Sequence, residues 1–288
     1  MAVLFSATQV SYAQQVAQQG TSPEKSEADS GALNTVVANM EEAQLRNQAN
    51  YRAYVMTREY RLYGGEEPDP SSEIIADVYF VPPRQKTFSI EKAEGNSRGE
   101  KIVRHVLEGE AKAASAGNAP GALTTANYNF KLLGEAVVEG QPCYVLQLNP
   151  KREERTLLRG KAYVDKNTFL VHRVEGEMSK LPSWWLKKVD LQLDFADADG
   201  MWLQTRTRAV ADVRIFGTHV LSSEALKVQT ANASAATFSP VTPDLTAVSA
   251  RHTQTEIGPS DVRNARARGR VPVYPVPAIV GSGVLVPH

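Results

Sequence analysis

The sequence predicts an α+β protein: a strongly curved antiparallel sheet, in effect an unclosed β-barrel, covered by helices and flanked by disordered termini. Three observations carry that prediction. Segments alternating apolar and polar residues follow one another from Tyr51 to Thr230. Short turns join them, among them Glu139-Gly140, Lys166-Asn167 and Asp199-Gly200, and such turns pair neighbouring strands antiparallel. Two stretches of helical spacing interrupt the strands and can cover one face. A sheet of that many twisted strands tends to curl or close.

Composition sets the bounds. Of 288 residues, 42% are hydrophobic, enough for a real core. Lys+Arg and Asp+Glu number 32 each, so no net field steers the chain towards nucleic acid. The single cysteine, Cys143, excludes an internal disulfide and a Cys-rich zinc site. No stretch is apolar for long enough to span a bilayer.

Taken in order, residues 1–13 read as the remnant of an export signal. Ser11-Tyr12-Ala13 fits cleavage before Gln14, although no Lys or Arg precedes Lys25, as for a start placed too far downstream. Residues 14–32 are polar and unpatterned, a disordered lead-in. Leu33, Val36, Val37, Met40, Ala43 and Leu45 then recur at helical spacing behind Asn34 as N-cap. From Tyr51 the period becomes two. "YRAYVMTREYRLYGG" stops at a glycine pair, "SEIIADVYFVPP" puts Ile74, Ala76, Val78 and Phe80 on one face, and "QKTFSIEKAEG" does the same with Phe88 and Ile90. "GEKIVRHVLEGEAKAASAG" returns to helical spacing through Ile102, Val103, Val106 and Leu107. Strands resume from "NYNFKLLGEAVV" to "THVLSSEALKVQ" and complete one domain, residues 33–230. Residues 231–288, rich in Ala, Thr, Pro and Ser without a period, read as a disordered tail.

The chemical inventory points away from catalysis. The five histidines are scattered singly, without a partner at metal-ligand spacing. There is no Gly-x-Ser-x-Gly elbow, phosphate loop or dinucleotide-binding glycine pattern. Asp165 and Asp199 sit at turns, and Asp190 and Asp194 share a strand face opposite Val189, Leu191 and Leu193, as solvated carboxylates do. Cys143 lies among apolar neighbours with no cation beside it to activate the thiol.

The aromatic residues say more. Tyr54, Phe80, Phe88, Phe130, Tyr144, Trp184, Trp185 and Trp202 lie along the strands, and two short helices do not fill a long curled sheet. These eight are therefore the candidate lining of an apolar ligand cavity.

In their order, the N-terminal helix, "DVYFVPPRQKTFSI", the helical insertion, "LLGEAVVEGQPCYVLQLNPKR", "GKAYVDKNTFLVHRVEG" and "DADGMWLQTRTRAV" resemble the LolA-like superfamily, periplasmic outer-membrane lipoprotein-sorting proteins and their relatives. The resemblance covers Leu33 to Thr230 and rests on turn glycines and on Asp199-Gly200-x-Trp202-Leu203. It implies an unclosed barrel lidded by helices around an apolar cavity for acyl chains. In the lipoprotein carrier itself an arginine immediately before a proline helps hold the lid shut. Here that stretch reads Val81-Pro82-Pro83-Arg84, so the cavity fold carries over rather than strict lipoprotein transport.

The resulting expectation is a periplasmic, non-enzymatic carrier that sequesters the acyl chains of a lipid or acylated lipoprotein and needs no cofactor or metal. Helix Leu33–Ala49 and segment Gly99–Ala116 would form its lid, with Val36, Val37, Met40, Ile102 and Val106 as lid residues. The alternative is an envelope sensor or structural module that binds a protein partner through the curved sheet. A hydrolase would require two titratable groups converging in the cavity.

Overall fold

The computed structural model describes residues 23–65, 68–115 and 121–230, with side chains from residue 30 onward. The signal remnant expected over 1–13, residues 14–22 of the lead-in and the tail expected over 231–288 lie outside the described residues. The elements are α1 (Pro23–Ala49), β1 (Tyr54–Gly64), β2 (Ser72–Val81), β3 (Gln85–Gly95), α2 (Ser97–Ser115), β4 (Tyr128–Val138), β5 (Gln141–Pro150), β6 (Leu158–Asp165), β7 (Val171–Met178), β8 (Leu186–Ala198), β9 (Met201–Val213) and β10 (Gly217–Thr230).

All the strands form one antiparallel 10-stranded sheet in the order β3-β2-β1-β10-β9-β8-β7-β6-β5-β4. Sequential neighbours pair throughout, except that β1 pairs with β10 and so joins the first three strands to the rest. The edges β3 and β4 do not pair, so the barrel is unclosed, as the sequence predicts.

Helix α1 shows how far the sheet wraps. Glu41 accepts a hydrogen bond from the Thr125 amide, just before β4, while Asn47 donates to the Trp202 carbonyl on β9. Those two helix positions are ~9 Å apart along the axis. In a flat sheet β9 and β4, five spacings apart in the strand order, would be separated by ~24 Å. One short stretch of helix touches both, so the sheet curls around it.

Period-two alternation decides which side chains point inward. Tyr54, Met56, Arg58, Tyr60 and Leu62 of β1 are buried while the residues between them are half-exposed. Ser72, Ile74, Ala76, Val78 and Phe80 of β2 repeat the pattern. Burial of each large aliphatic side chain on this face contributes about 1.5–3 kcal/mol.

Turn chemistry sets the register. Glu139 and Gly140 have φ of 50° and 85°, and Asp199 and Gly200 have 57° and 76°, the paired positive values of a tight two-residue hairpin. In the β6–β7 connection the Asp165 carboxylate accepts from the amides of Asn167 (2.8 Å) and Thr168 (2.7 Å). Burial pushes that carboxyl up, and those hydrogen bonds outweigh burial and hold it below the usual range. Gly160 and Gly176 face each other across β6 and β7, and a Cβ on Gly160 would lie 2.0 Å from the Glu175 carbonyl.

Two boundaries differ from expectation. Helix α1 starts at Pro23 rather than Leu33, with proline where the first helical turn tolerates it. Ser30, Gly31 and Ala32 in that extension are exposed, so no apolar stripe marked it. Helix α2 starts at Ser97 rather than Gly99, and Gly99 is tucked against Ser72 of β2 where a Cβ would clash.

Candidate functional site

The site is the interior between the concave face and the two helices. Val36, Val37 and Met40 of α1 and Val106 of α2 are buried in the main core, and Ile102 packs half-buried against it. All five sequence-predicted lid residues thus face the sheet, joined there by Ala43, Val103 and Leu107.

Six of the eight predicted lining residues come to this interior. Tyr54 and Phe80 are buried in a second cluster with Met56, Met201 and Leu203, their rings 5.3 Å apart. Phe88, Phe130, Tyr144 and Trp202 are half-buried against the main core. Trp202 is fixed on three sides. Its indole N–H donates to the Val171 carbonyl (2.7 Å), His172 meets it edge-on, and its backbone exchanges two 2.8 Å hydrogen bonds with the Asn47 side chain.

Trp184 and Trp185 are not part of this group. They sit in the connection before β8, stacked on each other with ring centroids 3.9 Å apart, and Trp184 is 68% exposed. Pro182-Ser183, immediately before them, is the loop signal that argues against an inward position.

The edges of the sheet shape the mouth of the interior. Phe88 and Ile90 on β3 and Phe130 and Leu132 on β4 are all half-buried and pack on the main core. Helix α2 lies in the chain between these two edges, which carry apolar side chains on their inner faces and do not pair with each other.

Sequence reasoning missed a polar group inside the same interior. Arg58 is 4% exposed, and its Nε and Nη2 have no hydrogen-bond partner. Tyr60, two residues on and on the same face, is 2% exposed with an equally unpartnered hydroxyl. The guanidinium lies 6.0 Å from the Tyr60 ring. Nearby, Lys86 Nζ on β3 and Glu110 Oε2 on α2 form a 2.5 Å ion pair with both side chains largely buried. Burial pushes the Glu110 carboxyl up, but Lys86 and Arg58 together outweigh it and hold the group below the usual range. Burial drives the Tyr60 phenol well up, with Arg58 only partly opposing. The signal for Arg58 was present in the alternation: it is in phase with Met56 and Leu62.

The outer face is charged and self-compensating. Asp194 pairs with Arg173 (2.5 Å) and Arg206 (3.8 Å), and both arginines also reach Glu139 at the tip of the β4–β5 hairpin. Among the described residues no group of three or more His, Cys, Asp or Glu side chains is arranged to hold a metal ion.

A family model described as "Uncharacterized protein" matches residues 121–228. No curated protein matches the chain. Among solved structures, a DUF1329 family protein from Desulfovibrio piger is 16% identical, with 70% of this chain and 95% of that one covered at a TM-score of 0.38. A putative outer membrane lipoprotein-sorting protein domain from Vibrio parahaemolyticus is 12% identical, with 68% and 92% covered at 0.41. A LolA superfamily protein from Nitrosomonas europaea is 10% identical, with 69% and 93% covered at 0.35.

Proposed function

We propose that the chain is a carrier or binding protein of the periplasm that holds acyl chains of a lipid or lipoprotein between its sheet and helices. The observation that supports this most is the apolar rim. Phe88, Ile90, Phe130 and Leu132 line the inner faces of the two unpaired edges and are only half covered by the protein itself. An acyl chain laid between them gains about 0.8 kcal/mol for each CH₂ removed from water. Helix α2 is the movable part, tied to the sheet by Val103, Val106, Leu107 and the Lys86–Glu110 pair. Among the described residues no helix is long and apolar enough to cross a membrane. The reading assigns no catalytic residue and no cofactor.

The test is native mass spectrometry with lipid extraction on the full chain purified from a periplasmic expression. A co-purifying phospholipid or acylated peptide supports the carrier and names its cargo class. A protein that emerges empty and binds no fluorescent fatty acid contradicts it.

One observation favours a protein partner instead. Trp184, Ile215 and Phe216 are all exposed, and the Arg214 amide donates to the Trp185 carbonyl, which brings these residues together at one end of the sheet. Such a patch fits the envelope sensor or structural module. Removing it with Trp184→Ser and Phe216→Ser would abolish partner capture on that reading and leave fatty-acid binding unchanged.

A further inference from the structure

The geometry points to an inward anion site at Arg58 and Tyr60 that receives the singly charged head of an apolar-tailed ligand, a fatty-acid carboxylate or a lipid phosphate. This deepens the carrier reading and rests on it.

Sequence places the two side chains together. Arg58-x-Tyr60 on one strand sends both to the same face, and that face is the covered one. The flanking strands leave room. Arg58 is paired with Ala76 on β2 and with Ala225 on β10, so small side chains stand on both sides of the guanidinium. Register shifts at Thr57/Arg58 and at Ile75/Ala76 fall on the same row.

Charge then sets the ligand class. The cluster holds two cations, Arg58 and Lys86, against one carboxylate, Glu110. Lys86 occupies that carboxylate at 2.5 Å, and no acidic group lies within ion-pair distance of Arg58 among the described residues. A buried guanidinium with two unpartnered N–H groups is unfavourable by itself. A carboxylate or phosphate accepts from two N–H groups of a guanidinium side by side, and the Tyr60 hydroxyl supplies a third donor. The missing charge is a single negative one, which matches a fatty acid or a phosphodiester. Its tail would run from Arg58 along the inner face towards Ile90, the partner of Ala76 on β3 and part of the rim.

The experiment compares oleate, oleyl alcohol and inorganic phosphate on the full chain, the first two by displacement of a fluorescent fatty acid and the third by thermal shift. Arg58→Met and Arg58→Lys are measured beside the wild type. Wild type is expected to hold oleate about ten- to hundredfold more tightly than the alcohol of the same length. Arg58→Met should lose that preference yet bind the alcohol as wild type does. Arg58→Lys, which keeps the charge without the planar fork, should retain part of it. The ligand-free Arg58→Met protein should melt no lower than wild type, because an uncompensated buried charge has been removed. Equal affinity of wild type for oleate and alcohol overturns the anion site and leaves the acyl-chain reading standing. Failure to bind either tailed probe overturns both. Stabilisation by inorganic phosphate alone, lost in Arg58→Met, assigns the arginine to a free anion and overturns the lipid head.

Discussion

Asn47 shows how one side chain ties distant parts of this fold together. Its amide donates to the Trp202 carbonyl and accepts from the Trp202 amide, a two-way bond that fastens the end of α1 to β9. Asn47→Leu leaves the Trp202 amide without a partner and its carbonyl with only the longer bond from the Tyr51 hydroxyl (3.4 Å), and should cost about 1–3 kcal/mol in denaturant unfolding. The neighbouring phenols set the alkaline limit. Burial lifts Tyr51 to about 12 from 10.0, only partly opposed by its hydrogen bond with Asn47, and burial raises Tyr54 and Tyr60 as well. The folded state therefore keeps protons that the unfolded chain releases, and stability is full below pH 10 and falls as pH rises from 10 through 12. A pH series of melting temperatures should decline across that window, with these tyrosines ionising only as the protein unfolds. Residue identity read without phase was the weak point of the sequence reading at this scale. Trp184 and Trp185 are large and aromatic, yet they stack on each other in the connection before β8, and Trp184 is exposed. Arg58 is charged, and only its phase within β1 shows that it points inward.

At the scale of elements, period and turn chemistry carried most of the information. Strands β1 and β2 alternate buried and half-exposed residues, and the hairpin tips at Glu139-Gly140 and Asp199-Gly200 lie where the turn residues put them. What escaped detection was the early start of α1 at Pro23, because the sequence from Pro23 to Ala32 carries no large apolar residues at helical spacing. Close backbone approach was hidden as well, since Gly160 and Gly176 look in sequence like ordinary strand glycines. Gly160→Ala would place a Cβ against the Glu175 carbonyl and should destabilise by about 3 kcal/mol or more, read as a lower urea midpoint. The tether of α2 makes a separate prediction. Lys86→Met leaves Glu110 beside Arg58 but removes the direct link between β3 and α2. Hydrogen exchange in α2 should then quicken, while exchange in β8 and β9, across the sheet, should be unchanged.

At the scale of the whole molecule, curvature could be inferred from the number of twisted strands, but the contacts that define it could not. The bridge made by α1 between Thr125 and Trp202 joins positions that no local pattern relates. The same sheet leaves two unpaired edges, β3 and β4, whose half-buried inner faces give the interior its proposed use. Trp202 inside and the Trp184–Trp185 pair outside provide built-in reporters for the most direct test. The full chain carrying Trp184→Phe and Trp185→Phe keeps Trp202 as its one indole. Titrated with a fatty acid brominated along its chain, that protein should show saturable quenching of Trp202, reversed by unlabelled oleate. If Trp202 stays bright while Trp184 and Trp185 in a Trp202→Phe protein are quenched, the acyl chain lies outside the interior and the carrier account is contradicted.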